Sequence, residues 1–432
     1  MSAKLWISAG ELAARTPASR NRSIDLLRAV SILCVVLGHW LMAAPWMEDG
    51  VARDGHLLQA APWFHWLTWI AQVMPVFFFV GGYSNGVTWD AARRDGRGYG
   101  EWLDARMRRL MLPVLGLIGF WAVAWAVGFL AGVPPAKITI ASRIAMLPTW
   151  FLAVYFAVVM LAPLMREAWR RWGVATVAVP LVLAALADHA YFRWDLRAVG
   201  WLNYLFVWLA VHQLGFVWLD GRWRSRSLCW ALVLVGLALL VWMTRFGPWP
   251  ISLVGVPGAD VSNTTPPHLP LLALAAVQFG SVRLAEPALG RLLSRPGPWT
   301  ATVLTNGMIM TIFLWHSTVM MLLFGLALLL GGIGLESEPA SGAWWLARIP
   351  WLAVFTVGLA LFVGLLARFE RPPAPATPAA RPWRQVGGIA LACGGIAMLV
   401  LEGVGGEGAV GRDLCALALP FVGARLASYT GR

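Results

Sequence analysis

The chain alternates long apolar stretches with short polar ones. Runs such as 110–130 and 302–333 carry almost no ionised side chain. A helix crossing a bilayer core needs about 20 such residues, whereas a helix on a soluble core shows one apolar stripe. The pattern predicts spans near 24–42, 64–88, 110–131, 146–165, 173–190, 198–218, 228–245, 267–284, 301–333, 344–367 and 386–402. A shorter apolar piece, 414–428, either crosses or lies along the interface. The expected architecture is an all-α, polytopic transmembrane helix bundle: a ten-span core plus a C-terminal extension of one or two helices. The polar breaks divide it into a tail (1–22), the core (23–371), a Pro-rich linker (372–385) and a C-terminal membrane hairpin (386–432). No small-residue cleavage site follows the first span, so no cleavable signal peptide is expected.

Composition agrees and narrows the classes. With 59% hydrophobic and only 13% charged residues, disordered, collagen-like and disulfide-scaffold chains are excluded. The net charge of +13 is nearly all arginine, in short clusters between apolar runs. If the N-terminus is cytoplasmic, the inner segments hold 25 Lys and Arg and the outer ones 7, with Arg28 and Arg348 left inside spans. That is the positive-inside pattern; it places the N-terminus inside and leaves no continuous basic face for nucleic acid. The tryptophans near predicted span ends (Trp63, Trp66, Trp69, Trp344 and Trp345 outside; Trp169, Trp172 and Trp223 inside) read as an aromatic belt. Cys34, Cys229, Cys393 and Cys415 share no metal-ligand spacing and read as small buried hydrophobes; no metal is expected.

Ionisable groups inside spans are costly and therefore informative. In the first span Arg28 and His39 are eleven residues apart, so they share a helix face at a separation of roughly 16 Å. Asp25 lies one turn before Arg28 and is placed to pair with it. Taken singly, each has a bland reading: an arginine snorkelling to the interface, a histidine satisfied by a carbonyl. Their joint placement points to a site. His316 is expected sixteen residues into a span starting near Thr300, at the same depth as His39. Asn203 falls near one end of the sixth span, with His212 and Gln213 near the other. Phe77 to Asn85 closes the second span with small residues that permit close helix or ligand approach, and tight packing explains them as readily. In the inner loop 93–109, Arg106 and Arg109 lie one turn apart at an expected helix start and could grip a phosphate, although topology alone also demands arginines there.

Together these segments resemble the acyltransferase-3 family of integral-membrane O-acyltransferases. The resemblance rests on Ile24-Asp25-x-Leu27-Arg28-Ala29 with ten residues between Arg28 and His39, on Phe77 to Asn85, on Arg106-x-x-Arg109, on Trp150-Phe151-Leu152 and on Leu314-Trp315-His316. It covers residues from about 23 to 371. Many members carry a further esterase-like domain; none is expected here. The family implies a multi-pass protein of the bacterial cytoplasmic (inner) membrane. It has no permanently bound cofactor, takes acyl-CoA, commonly acetyl-CoA, as donor, and acylates a hydroxyl, usually on a carbohydrate or glycolipid. On that resemblance Arg106, Arg109 and Arg28 bind the donor, and His39 is the general base. His316 orients the acceptor or stabilises the oxyanion, with Asp25, Trp150 and Asn85 in support. The acceptor stays open among glycan, glycolipid, peptidoglycan sugar and glycosylated metabolite. A transporter or a non-catalytic glycan- or lipid-export partner is the rival class, distinguished by paired broken helices or an intramembrane carboxylate; Asp25 is the main acid expected in the core.

Overall fold

A computed structural model describes residues 3–17, 20–366, 380–405 and 410–429. Most of the linker 372–385 lies outside these. The chain runs through α1 (Ala3–Ala14), α2 (Arg22–Met42), a hairpin of β1 (Trp46–Glu48) and β2 (Val51–Arg53), then α3 (Leu57–Ala60), a 3-10 turn at Pro62–Leu67 and α4 (Thr68–Ala71). It continues with α5 (Met74–Arg94), α6 (Tyr99–Leu130), α7 (Pro135–Met146), α8 (Thr149–Trp172), α9 (Ala175–Arg193), α10 (Arg197–Gly200), α11 (Asn203–Leu219) and α12 (Arg226–Phe246). Then come α13 (Pro270–Leu293), α14 (Pro296–Gly307), α15 (Ile309–Leu329), α16 (Gly342–Leu366), α17 (Pro382–Glu402) and α18 (Val410–Leu426). Among the described residues ten helical stretches are long and apolar enough to cross a membrane. The protein is an all-α, multi-pass membrane protein.

Several boundaries differ from the expectation: α5 runs on to Arg94, so Phe77 to Asn85 lies within the second span's helix and does not close it, and three others have a local reason. The long stretch 301–333 is two helices, α14 and α15, because the chain leaves helical geometry at Met308 (φ −124°, ψ 13°) after Asn306-Gly307. The third span starts not at 110 but at Tyr99, where Glu101 accepts the Gly98 N–H at 2.9 Å as half of a capping box. The stretch expected as the eighth span falls in α13, which is 24 residues long but is not among the ten. Gln278, Arg283 and Glu286 dilute its apolar character.

The chain divides into two compact units. The first holds residues 1–44, 54–88 and 161–307. Its centre is the 197–219 stretch, whose apolar window is 72% buried, against 22% for α12, which turns much of its surface to lipid. The parallel helices α5 and α11 meet through glycines: a Cβ on Gly215 would strike the backbone of Phe79 and Tyr83, and one on Gly82 the His212 carbonyl. Such small-residue contacts let backbones approach where no hydrophobic effect drives association. Phe78 stacks on Trp208 at 4.3 Å in the same interface. The second unit holds residues 45–53, 89–160 and 308–432. There α15 and α16 are antiparallel, with Phe324 against Trp351 and Phe355, and Trp315 against Phe362. The C-terminal helices α17 and α18 cross at Gly388 and Gly423, which face each other's carbonyls.

Trp63, Trp66 and Trp172 are exposed, as an aromatic belt requires, whereas Trp169 and Trp344 are 1% and 4% exposed and do not fit that reading. The indole of Trp169 donates to Asp220 at 2.7 Å. Of the four cysteines, Cys229 is buried, Cys34 and Cys393 are half-buried and Cys415 is exposed, so the buried-hydrophobe reading fails for Cys415.

Candidate functional site

The first unit carries the Arg28–His39 helix. Asn21 caps α2 by accepting the Ser23 N–H at 3.1 Å, and Asp25 adds negative charge to the first turn, where the helix dipole favours it. Asp25 is 7% exposed, and its tighter partner is not Arg28 but Arg20, which donates from Nε at 2.6 Å and Nη2 at 2.9 Å. Arg28 stands 3.5 Å from the same carboxylate and donates from Nη2 to Ser84 on α5 at 2.7 Å. The next residue, Asn85, donates to His212 Nε2 at 3.1 Å, with both side chains wholly buried. The expected supporting residues Asp25 and Asn85 thus flank Arg28 through α2, α5 and α11. Arg283 and Glu286 pair on α13, with the Trp218 indole donating to Glu286 at 3.2 Å.

His39 lies near the other end of α2 and is half-buried. That end continues into Ala43, which bridges to His56. His39 is close enough to His56 to interact electrostatically, and His56 likewise to His65. Burial, and then His65, lower the His56 imidazole to about 4, so it is neutral near pH 7. The Thr68 to Gln72 segment holds the loop 247–269: Trp69 donates to Ile251 O at 2.8 Å, Gln72 to Leu253 O at 2.9 Å, and Leu253 N–H to Thr68 Oγ1 at 2.9 Å. Three of the seven histidines fall within 39–65, a clustering visible in the sequence.

Asp188, on α9, was also missed, although it is the most enclosed acid of this unit at 1% exposure. It corrects the expectation that Asp25 is the main intramembrane acid. Its carboxylate accepts from His268 Nδ1 (2.6 Å), Asn203 Nδ2 (2.7 Å), the Leu269 N–H (2.9 Å) and Trp249 Nε1 (3.1 Å). Four donors saturate it, and the cluster pins the loop 247–269 to α9 and α11. At the opposite end of α11, Asp220 accepts from Arg166 Nη1 and Nη2 at 3.0 and 2.7 Å. Burial raises the Asp220 carboxyl, but Arg166 and Trp169 outweigh it and leave it below the usual carboxylate range.

The second unit holds the remaining expected residues. Arg106 is half-buried and Arg109 exposed, one turn apart on α6, but they sit two to three turns into the helix rather than at its start. The intervening Arg108 is 6% exposed and structural: it grips Asp104 at 2.9 and 3.0 Å and donates to the Tyr429 carbonyl at 2.8 Å and to that of Ser428. His316 is fully buried and seven residues into α15, so the depth match based on Thr300 does not hold. Its Nδ1 donates to Phe313 O at 2.6 Å, and Nε2 lies 3.1 Å from Ser317 Oγ. With the proton on Nδ1, Nε2 accepts from that hydroxyl. Trp150 is half-buried at the start of α8, beside Phe151, whose ring meets Phe313 edge-on at 5.8 Å. No three His, Cys, Asp or Glu side chains converge on a metal-sized position among the described residues.

No curated protein and no solved structure matches the chain. A family model described as an acyltransferase domain does, over residues 21–368. That span takes in α2 with Arg28 and His39, α5 with Asn85, Arg106 with Arg109 and the His316 helix. With most of its length matched, this membrane protein belongs to the acyltransferase-3 family.

Proposed function

We propose that the protein moves an acyl group, acetyl in the simplest case, from cytoplasmic acyl-CoA to a sugar hydroxyl. The sugar belongs to an exported glycan, a glycolipid or a glycosylated metabolite. The protein would sit in a bacterial inner membrane with its N-terminus in the cytoplasm. The observation that carries this reading is α2. A single apolar helix holds Arg28, anchored to Ser84 and Asp25, and carries His39 three turns further on, in a chain of an acyltransferase family.

In this reading Arg106 and Arg109 take the charged phosphates of CoA, and Arg28 meets the donor deeper in. Arg28 suits that task because Ser84 and Asp25 fix its guanidinium while its side chain stays 26% exposed. Neutral His39 removes the proton from the acceptor hydroxyl as its oxygen attacks the thioester carbonyl. The C–S bond then breaks, CoA leaves as thiolate, and the proton returns from the imidazolium to that sulfur. His316 serves better as an orienting acceptor than as an oxyanion donor, because its bonds to Phe313 and Ser317 leave Nε2 without a proton.

The test uses purified, detergent-solubilised protein with radiolabelled acetyl-CoA, monitored for free thiol release and for label transfer to an added sugar acceptor. Thiol release that disappears in His39→Ala, with acetyl-CoA binding intact, supports the reading. Protein that neither binds nor turns over acyl-CoA sinks it. For the acceptor, a deletion strain should lose an acetyl-sized mass increment from one surface glycan or lipid.

A further inference from the structure

Arg348, left inside a span by the sequence, has no task in the reaction above. It lies in the second turn of α16 at 3% exposure, its guanidinium carbon 4.1 Å from the centre of the Trp344 ring. Among the described residues its Nε and Nη1 find no acceptor, and neither does the Trp344 indole nitrogen. Arg348 and Trp344 line one cleft, whose other walls include Pro45, Leu335, Ser337 and Trp351. Other buried arginines are paired: Arg108 with Asp104, Arg166 with Asp220 and Arg283 with Glu286. The α15–α16 connection does hold Glu336 and Glu338, but both are exposed, and Glu336 accepts the Gly334 N–H at 3.1 Å. A cation inside a span, unpaired on two of its donors, costs several kcal/mol unless an anion meets it.

We infer that the cleft binds an oxyanion, a phosphate group whose oxygens accept from Arg348 and the Trp344 indole. The enclosed space is about 10 Å³, enough for one water-sized group, so the ligand inserts oxygen atoms while its body stays outside. The phosphate is not the donor's. Within this unit Trp121 donates to Thr318 at 3.1 Å and Phe120 meets Trp315, so α6 and α15 run parallel. Arg348, beside the C-terminal end of α15, therefore lies on the order of 35 Å along the helix axes from Arg106. Only this exclusion of CoA rests on the proposed function. Two sources carry such a group: the headgroup of a membrane lipid, and phosphate or a phosphorylated solute in water. Leu346 and Ile349, 71% and 67% exposed, give α16 an apolar face that acyl chains can cover.

The test is equilibrium binding to the purified full-length protein in uncharged detergent. The probes are short-chain phosphatidylglycerol, a galactosyl diacylglycerol of equal chain length, and inorganic phosphate. Phosphatidylglycerol should bind saturably and the galactolipid should not, with at least about 10-fold weakening in Arg348→Met, as expected for loss of a charge-assisted contact. Trp344→Phe, which keeps the ring and removes one donor, should weaken binding about threefold and covers the case in which Arg348→Met fails to fold. Inorganic phosphate binding as tightly as the lipid, with the same Arg348 dependence, identifies the soluble source. Absence of saturable binding by either phosphate probe, or binding unchanged in both variants, overturns the inference. Acetyl-CoA turnover is read separately, so failure of the acyl-transfer reading leaves these isotherms standing.

Discussion

Asp188 and Arg28 are both charged groups within helices that cross the membrane, and the first unit treats them differently. Asp188 is sealed at 1% exposure and meets four donors, three from the loop 247–269 and one at the start of α11. Arg28 is held by Ser84 and Asp25 but keeps a quarter of its side chain open. A saturated, closed cluster has no capacity left for a ligand and acts as architecture; an anchored but open group can meet one. Charge inside the membrane therefore marks function only when its bonding and its exposure are considered together.

The largest effect that tests this contrast is on chemistry. His39→Ala, at the open end of α2, should cut acyl transfer about 10²- to 10⁴-fold, the usual worth of a general base, with little change in thermal midpoint. Asp188→Ala should show the opposite signature. Leaving His268, Asn203 and Trp249 without their acceptor should cost about 3–5 kcal/mol, seen as a lower unfolding midpoint, while turnover per folded molecule stays near wild type. An Asp188→Ala protein that keeps its midpoint but loses turnover would dissolve the distinction.

A third, smaller effect is pH-dependent. The Asp220 carboxyl is held below its unfolded value, so its ion pair with Arg166 stabilises the fold fully above the ordinary carboxylate range. That contribution is lost as pH falls through the folded value. Because Asp220 is partly exposed, Asp220→Asn should cost only about 2 kcal/mol at pH 7. Thermal melts of the two proteins should converge as pH drops below about 4. A difference that persists there would show that packing, not charge, sets the cost.

The spans were legible because each is a local property: about twenty apolar residues need no knowledge of neighbours. So was the α2 motif, since Arg28 and His39 share a face by helix geometry alone. What failed was non-local or terminal. The break at Met308 depends on a few residues inside an unbroken apolar run, and α6 begins in a stretch whose arginines look like loop. The Asp188 cluster joins positions 188, 203, 249 and 268, whose convergence no spacing rule reveals. Arg108 sits between two arginines of identical type, and only its burial against Asp104 separates it from Arg106 and Arg109.

The smallest effect tests whether Ser84 positions Arg28 rather than merely packing beside it. Ser84 Oγ accepts from Arg28 Nη2 at 2.7 Å and donates to Val80 O at 2.9 Å, so the hydroxyl fixes one side of the guanidinium. Removing it in Ser84→Ala should cost about 1 kcal/mol, or roughly fivefold, in kcat/KM for acyl-CoA. Because the loss acts through Arg28, it should fall mainly on KM for the donor. Ser84→Thr restores the hydroxyl and should recover the rate. On an Arg28→Ala background the Ser84→Ala change should add nothing, since the interaction it removes is already gone. Independent, additive losses would mean that Arg28 is placed by Asp25 and by helix packing. The polar path from Arg28 through α5 would then belong with the Asp188 cluster, as architecture.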